Sequence, residues 1–259
     1  SIEEQGKLTE EISKSIEEAK TLAEVEDIYR PYKPKKKTRA TVAKAKGLEP
    51  LANIIFEQKE TRPIEEIAKE YVNVDSVEEG TPKDKIVANV EDAIQGALDI
   101  IAENISDEPK YRKKIKGICY REAVINVKAT KPEEKSSYDM YYDFNESIKR
   151  LPSHRILAIN RGEKEDFLKV KIDKPEDKIL AYMERDIIKG HTQFEEYLKA
   201  TIEDSWKRLI EPSIDREIRS DLTEKAEEKA IKVFGKNAKQ LLLGAPIKNL
   251  TVIGFDPAY

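Results

Sequence analysis

Apolar side chains recur at spacings of three and four over most of this chain, and that pattern predicts helices separated by polar breaks. Thr9 is a predicted N-cap: Leu8 precedes it, Glu10 and Glu11 fill the first turn, and Ile12, Ile16 and Ala19 follow at helical spacing. Thr21 with Glu24 makes a capping box that restarts the chain toward Tyr29. Pro31 and Pro34 then forbid regular helix. A short helix is predicted from Ala40 to Lys46, ended by Gly47, and Glu49-Pro50 opens another that reaches about Gln58. From Lys85 onward, Val90, Ile94, Ala97, Leu98, Ile101 and Ile105 mark one face of an amphipathic helix. Ser106 or Asp107 recaps the chain, and Tyr111, Ile115, Ile118, Ala123 and Val127 outline an antiparallel neighbour.

The second half reads differently. Lys131 to Asn145 is a polar, then aromatic, connection whose Tyr138, Tyr141, Tyr142 and Phe144 are expected to tuck against helices, with base stacking as their alternative use. Phe167 to Ile172 is an internal strand, Leu168, Val170 and Ile172 alternating with Lys169 and Lys171, and its partner is not identifiable from the pattern. Thr192 with Glu195 caps a helix carrying Phe194, Leu198, Ile202, Trp206 and Leu209, which Pro212 is expected to end. A helix of about 45 Å follows from Ser213 to Leu243, stopped by Gly244 and Pro246. Thr251 to Pro257 is an apolar strand that cannot fold alone. With a start that lacks Met, this reads as a piece of a larger protein. The expected fold is mainly α: multi-helical, with a long spine helix, one short internal strand and a terminal strand. Its expected segments are 1–130, 131–247 and 248–259.

Composition narrows the choice. Charged residues make up 38% of the 259 and apolar ones 39%, against a usual charged share of roughly 25%. Long solvated helices fit that balance, and a compact α/β enzyme fits poorly. No apolar run approaches the ~18 residues of a membrane helix, and the N-terminus has no signal-peptide character, so a cytoplasmic protein is expected. Cys119 is the single cysteine and His154 and His191 the two histidines, too few for a disulfide framework or a zinc finger. A protein without cofactor, metal, small-molecule substrate or enzymatic activity is the expectation.

Charge is unevenly placed. Arg30, Lys33, Lys35, Lys36, Lys37, Arg39, Lys44 and Lys46 fall between residues 30 and 46 with no acid among them, whereas the whole chain nets −4. An acidic body with one basic loop is the layout of a phosphate-contacting element. The plain alternative is a solvated loop, or one docked on the acidic helices of its own chain. Thr41 to Phe56, helix, Gly47, helix, resembles a helix-turn-helix unit, though paired short helices are common. Lys110, Arg112, Lys113, Lys114 and Lys116 form a second cluster in the first turns of a helix, where cations oppose the macrodipole. In Pro152-Ser153-His154-Arg155, Ser153 is a possible cap, and His154 reads as packed or hydrogen-bonded rather than catalytic.

Several stretches carry a family resemblance. They are Ser1 to Thr9, Leu22 to Tyr29 running into Pro31-Tyr32-Lys33-Pro34-Lys35, Thr38-Arg39-Ala40-Thr41, Gly47 to Ala52, Pro152-Ser153-His154-Arg155, Arg161-Gly162-Glu163-Lys164 and Ile202 to Leu209. Together they resemble the Tex family of bacterial transcription accessory proteins, relatives of a eukaryotic transcription elongation factor, in family order over nearly the whole chain. The resemblance implies a multidomain nucleic-acid-binding protein: a helical N-terminal region with helix-turn-helix character, a YqgF-type ribonuclease-H-like domain, helix-hairpin-helix elements and an RNA module. This chain is expected to hold the helical part and the first YqgF-like strand.

Where the family has Asp-Pro-Gly after that strand, Asp256-Pro257 is followed here by Ala258, which restricts backbone approach to a phosphate or metal. No catalytic residue is carried over to this chain. The expected role is a helical scaffold whose basic loop assists contact with RNA or DNA or with the transcription machinery. The alternative is a protein-protein interaction module with no nucleic-acid binding of its own. A nuclease reading would rest on Asp256 in the intact protein.

Overall fold

The computed structural model describes residues 2–19, 25, 28, 29, 32, 37–74, 85–245, 251 and 253–255. The expected capping box at Thr21 and Glu24, the cations Arg30, Lys33, Lys35 and Lys36, and Asp256 lie outside these residues. The helices are α1 (Glu10–Glu18), α2 (Arg39–Ala45), α3 (Glu49–Glu57), α4 (Ile64–Lys69), α5 (Val90–Asp107), α6 (Pro109–Glu122), α7 (Ser153–Lys164), α8 (Glu176–Ile187), α9 (Glu195–Asp204) and α10 (Glu211–Leu242). Three strands, β1 (Val124–Ala129), β2 (Asp143–Ser147) and β3 (Leu168–Asp173), form an antiparallel sheet in the order β2-β1-β3. The fold is mainly α with short strands, as expected. The described residues group into two compact units, one running to Ile125 with 146–149 and 172–218, the other holding 126–145, 150–171 and the residues from Arg219 on.

In the first unit α5 is the hub, with α2, α3, α4 and α9 packed on it. Its buried Ile100, Ile101 and Ile105 supply the apolar surface, and Ala93, Gly96, Ala97 and Ala102 let neighbours come close. Each buried isoleucine is worth roughly 1.5–3 kcal/mol. Thr9 caps α1, accepting from the Ile12 N–H at 3.3 Å, and Asn89 caps α5, accepting from Asp92 at 2.8 Å.

Residues 124–129 correct the sequence reading, which ran a helix on to Val127. Val124–Ala129 is a strand, with Ile125 and Val127 buried on one face. Ala123 and Val127 stand four apart, but Ala123, Ile125 and Val127 also alternate, and the β-branched run follows the shorter period. This strand is the partner that Phe167 to Ile172 required. Phe144, expected in a connection, lies in β2.

Four helix boundaries also differ. Glu108, not Ser106 or Asp107, is the N-cap of α6, its side chain accepting from the Lys110 N–H at 3.4 Å. α7 begins with Pro152 as N-cap, because the Pro152 carbonyl already accepts from Arg155 at 3.0 Å and Ile156 at 3.2 Å, so Ser153 is the first helical residue and caps nothing. Thr192 does not cap α9 through its side chain: Phe194 is the N-cap, and Glu195 is engaged by Lys199 and His191, each at 2.9 Å. Pro212 does not end the helix either. Ser205–Ile210 forms a π turn whose looser winding passes the chain directly into α10, and the Glu211 N–H reaches back to the Trp206 carbonyl. Wider winding relieves the clash of a proline ring with the preceding turn and leaves no amide to satisfy.

The second unit is organised around Tyr138, Tyr141 and the sheet. Tyr138 and Tyr141 are buried as expected; Tyr138 tilts against Phe167 at 5.8 Å, Tyr141 meets Phe144 edge-on at 5.4 Å, and the Arg155 guanidinium lies 5.4 Å over the Phe144 ring. α7 closes in a Schellman turn: Phe167 N–H donates to the Gly162 carbonyl at 2.9 Å, Asp166 N–H to Glu163 at 3.1 Å, with Asp166 at φ 65°. His154, expected to be packed or bonded, is exposed. Of the expected terminal strand, only Thr251 and 253–255 are described, and none of these four residues is in a strand.

Candidate nucleic-acid interface

The described part of the basic stretch begins at a well-formed helix start. The Thr38 amide donates to Thr41 Oγ1 at 2.7 Å and the Thr41 amide to Thr38 Oγ1 at 3.1 Å, a reciprocal cap that fixes how the chain enters α2. α2 ends as sharply. Gly47 takes φ 81°, its N–H bonds the Lys44 carbonyl at 3.0 Å, and the Leu48 N–H bonds Ala43 at 3.2 Å.

Leu48 is thereby driven into the core against α5. A Cβ built on Gly96 would stand 2.4 Å from its Cδ1. Ala40 and Ala43 of α2, and Leu51, Ala52 and Ile55 of α3, are buried with it. Gly96→Val should cost about 2–3 kcal/mol of unfolding free energy, measured by urea denaturation, and should loosen α2 and α3 together. A neutral Gly96→Val would mean that Leu48 has room to move aside.

Of the eight cations read from the sequence, the described ones are Lys37, Arg39, Lys44 and Lys46, and they are not equivalent. Lys37, Arg39 and Lys44 are exposed, Lys44 lying 3.8 Å from Glu49. Lys46 is held by both Asp92 oxygens, at 2.8 and 2.7 Å, with its side chain only 14% exposed. Burial alone would raise the Asp92 carboxyl, but the Lys46 hydrogen bond and the Ala88 N–H hold it below the usual range. Lys46 thus clasps the end of α2 to the first turn of α5. On the same helix, burial pushes the Asp99 carboxyl up, against the pull of Arg208 and Arg39.

The second cationic cluster is divided: Arg112 and Lys116 turn inward, whereas Lys110, Lys113 and Lys114 are exposed. The Arg112 side chain has no exposure; it donates to Ser213 Oγ at 3.2 Å and to Glu217, while Lys116 stands 3.2 Å from the same carboxylate. Lys110 pairs with Asp186 at 2.7 Å, and Lys114 lies 5.7 Å over the Tyr182 ring. Sequence reasoning missed a further buried cation, Lys174, 2% exposed between Glu211 at 2.9 Å and Asp215 at 2.8 Å. Nothing at Lys174 separates it from a surface lysine in sequence, since its partners lie some forty positions on. Cys119 is buried, and burial pushes its thiol up to about 11.

The helical hub and the small antiparallel sheet define a mainly α-helical protein, with exposed cations about the start of α2. A family model described as Tex central region-like matches residues 59–234, and the chain belongs to that family. It is 49% identical over its whole length to the uncharacterized protein YdcI of Bacillus subtilis, covering 35% of that protein. It is 32% identical to the transcriptional accessory protein Tex of Neisseria gonorrhoeae, over all of this chain and 34% of the relative. It is 29% identical to the human S1 RNA-binding domain-containing protein 1, again over all of this chain, covering 26% of that protein. The chain therefore spans about a third or less of the length of these relatives.

Proposed function

We propose that this chain is a non-enzymatic helical scaffold of a transcription accessory protein, and that its basic stretch from Arg30 to Lys44 contacts nucleic acid. The observation that carries the reading is the exposure of Lys37, just before α2, and of Arg39 and Lys44, which flank the side of α2 that anchors on α5 through Ala40 and Ala43, with Leu48 seated just after the helix. Cations on a rigidly capped helix start lose little freedom on meeting phosphates. Relatives named for transcription and for RNA binding support the same reading. Cys119, buried with a raised thiol, is no nucleophile. A second reading, contact with protein, is favoured by the exposed Ile231, Phe234, Leu241 and Leu242 of α10.

Fluorescence anisotropy of a labelled single-stranded RNA and of a duplex DNA separates the two. Binding at 50 mM salt should weaken at 200 mM by about 50-fold on the single-stranded RNA and about 150-fold on the duplex if roughly four cations meet phosphates. It should largely vanish in a variant with Lys35, Lys36, Lys37 and Arg39 changed to Ala. No binding of either probe at 50 mM salt overturns the nucleic-acid reading and favours the second.

A further inference from the structure

The last third of α10 differs from the rest of this acidic chain. From Lys229 to Phe255 no acid occurs, although the chain holds 51 Asp and Glu. Lys229, Lys232, Lys236 and Lys239 lie at spacings of three, four and three on a continuous helix, so they share one side of it within an arc of about 80°. All four are exposed. Lys232 makes a surface ion pair with Glu228 at 3.9 Å, with side chains 79% and 64% exposed, and a pair of that kind holds little energy. Ile231, Phe234, Ala238 and Leu241 follow a second line on the same helix, about 150° away.

Two plain explanations fall short. The helix macrodipole favours cations at a C-terminus, but its effect is confined to the last turn, which reaches Lys239 and not Lys229 or Lys232. Solubility is served by mixed signs, as in the first half of α10, where Asp215, Arg216, Glu217, Arg219, Asp221, Glu224 and Lys225 interleave. A line of one sign is a field with a direction.

We propose that Lys229, Lys232, Lys236 and Lys239 form a second nucleic-acid contact, a comb that follows a phosphate backbone. The comb is about 15 Å long, enough to face several phosphates along one strand. Flexible ammonium stems reach phosphates as point charges without reading sequence. A lipid headgroup layer fits the comb poorly, because a surface pressed on Phe234 and Leu241 faces away from the lysines. The inference rests on the nucleic-acid reading given above and extends it to a site outside the basic stretch.

The test uses this chain and the same labelled RNA and DNA. A variant carrying Lys229→Gln, Lys232→Gln, Lys236→Gln and Lys239→Gln keeps good helix formers at exposed positions, and its circular dichroism should match the parent. Its plot of log affinity against log salt should flatten by about 3 units on RNA, and at 50 mM salt its affinity should fall at least tenfold. The fourfold Lys→Arg variant should bind as the parent does. A Gln variant that binds like the parent, while the basic-stretch variant does not, overturns the comb and leaves the first contact standing. Failure of the parent to bind any probe overturns both. Binding of polyglutamate to the comb as tight as RNA, at equal charge, would assign it to an acidic protein segment and overturn the nucleic-acid assignment.

Discussion

Glu217→Ala should lower the unfolding free energy by about 3–5 kcal/mol. The cause lies across the contact, in Arg112, whose side chain has no exposure while that of Glu217 keeps 26%. A guanidinium does not shed its proton inside a protein, so without its carboxylate the buried charge cannot neutralise itself. Lys116, 3.2 Å from the same carboxylate, would lose that partner as well, and the two cations would repel more strongly. The reverse change, Arg112→Met, is expected to cost less, because Glu217 keeps Lys116 and some water and Met fills much of the vacated volume. Urea unfolding at an unchanged m-value measures both. A loss below 1 kcal/mol in Glu217→Ala would show that Ser213 and the remaining neighbours suffice for the guanidinium.

Trp206→Ala is the second large effect, also about 3–5 kcal/mol. Trp206 is fully buried in the π turn, which packs on α5, and the adjacent Ser205 Oγ donates to the Ala102 carbonyl at 2.7 Å. Removing the indole leaves a cavity in the middle of this contact. Trp206→Phe should cost clearly less: it retains a ring and deletes an indole N–H that meets no acceptor among the described residues. Trp206 is the only tryptophan, so native emission should be blue-shifted and move to the red on unfolding, giving the parent its own probe. A Trp206→Ala loss under 1.5 kcal/mol would mean that α5 and the π turn close over the gap.

The parts of the fold that were legible in the sequence are those governed by local chemistry. Thr9 caps α1, Gly47 ends α2, and the apolar line from Val90 to Ile105 is α5, because each depends on residues within a few positions. Reading failed where a distant partner decided. Val124–Ala129 carries spacings compatible with helix and strand alike, and only β2 and β3 on its two sides settle the matter. Arg112 resembled its neighbours Lys113 and Lys114, yet it is buried because Glu217, a hundred positions later, reaches it. The same limit applies to the basic stretch: its charge is plain in the sequence, but the engagement of Lys46 by Asp92 is visible only once α2 lies on α5. Pro212 misled for a different reason, since proline interrupts an α-helix but is accommodated by π winding, which leaves no compositional mark.

The π turn also sets the rotational phase of everything after it. Leu198, Ile202, Trp206, Ile210, Ile214 and Ile218 are all buried and stand at intervals of four. In a regular α-helix each such step advances about 40° around the axis, so an uninterrupted ladder would spiral off the core. The residue absorbed by the π winding turns the helix back by about 100°, and Ile214 and Ile218 stay on the side that Leu198 and Ile202 began. The turn therefore works as a phase corrector. Deleting one residue between Ser205 and Ile210 would let the segment wind as a regular α-helix with Ile214 and Ile218 on the same side, whereas straightening the π turn without a deletion would carry them off the core.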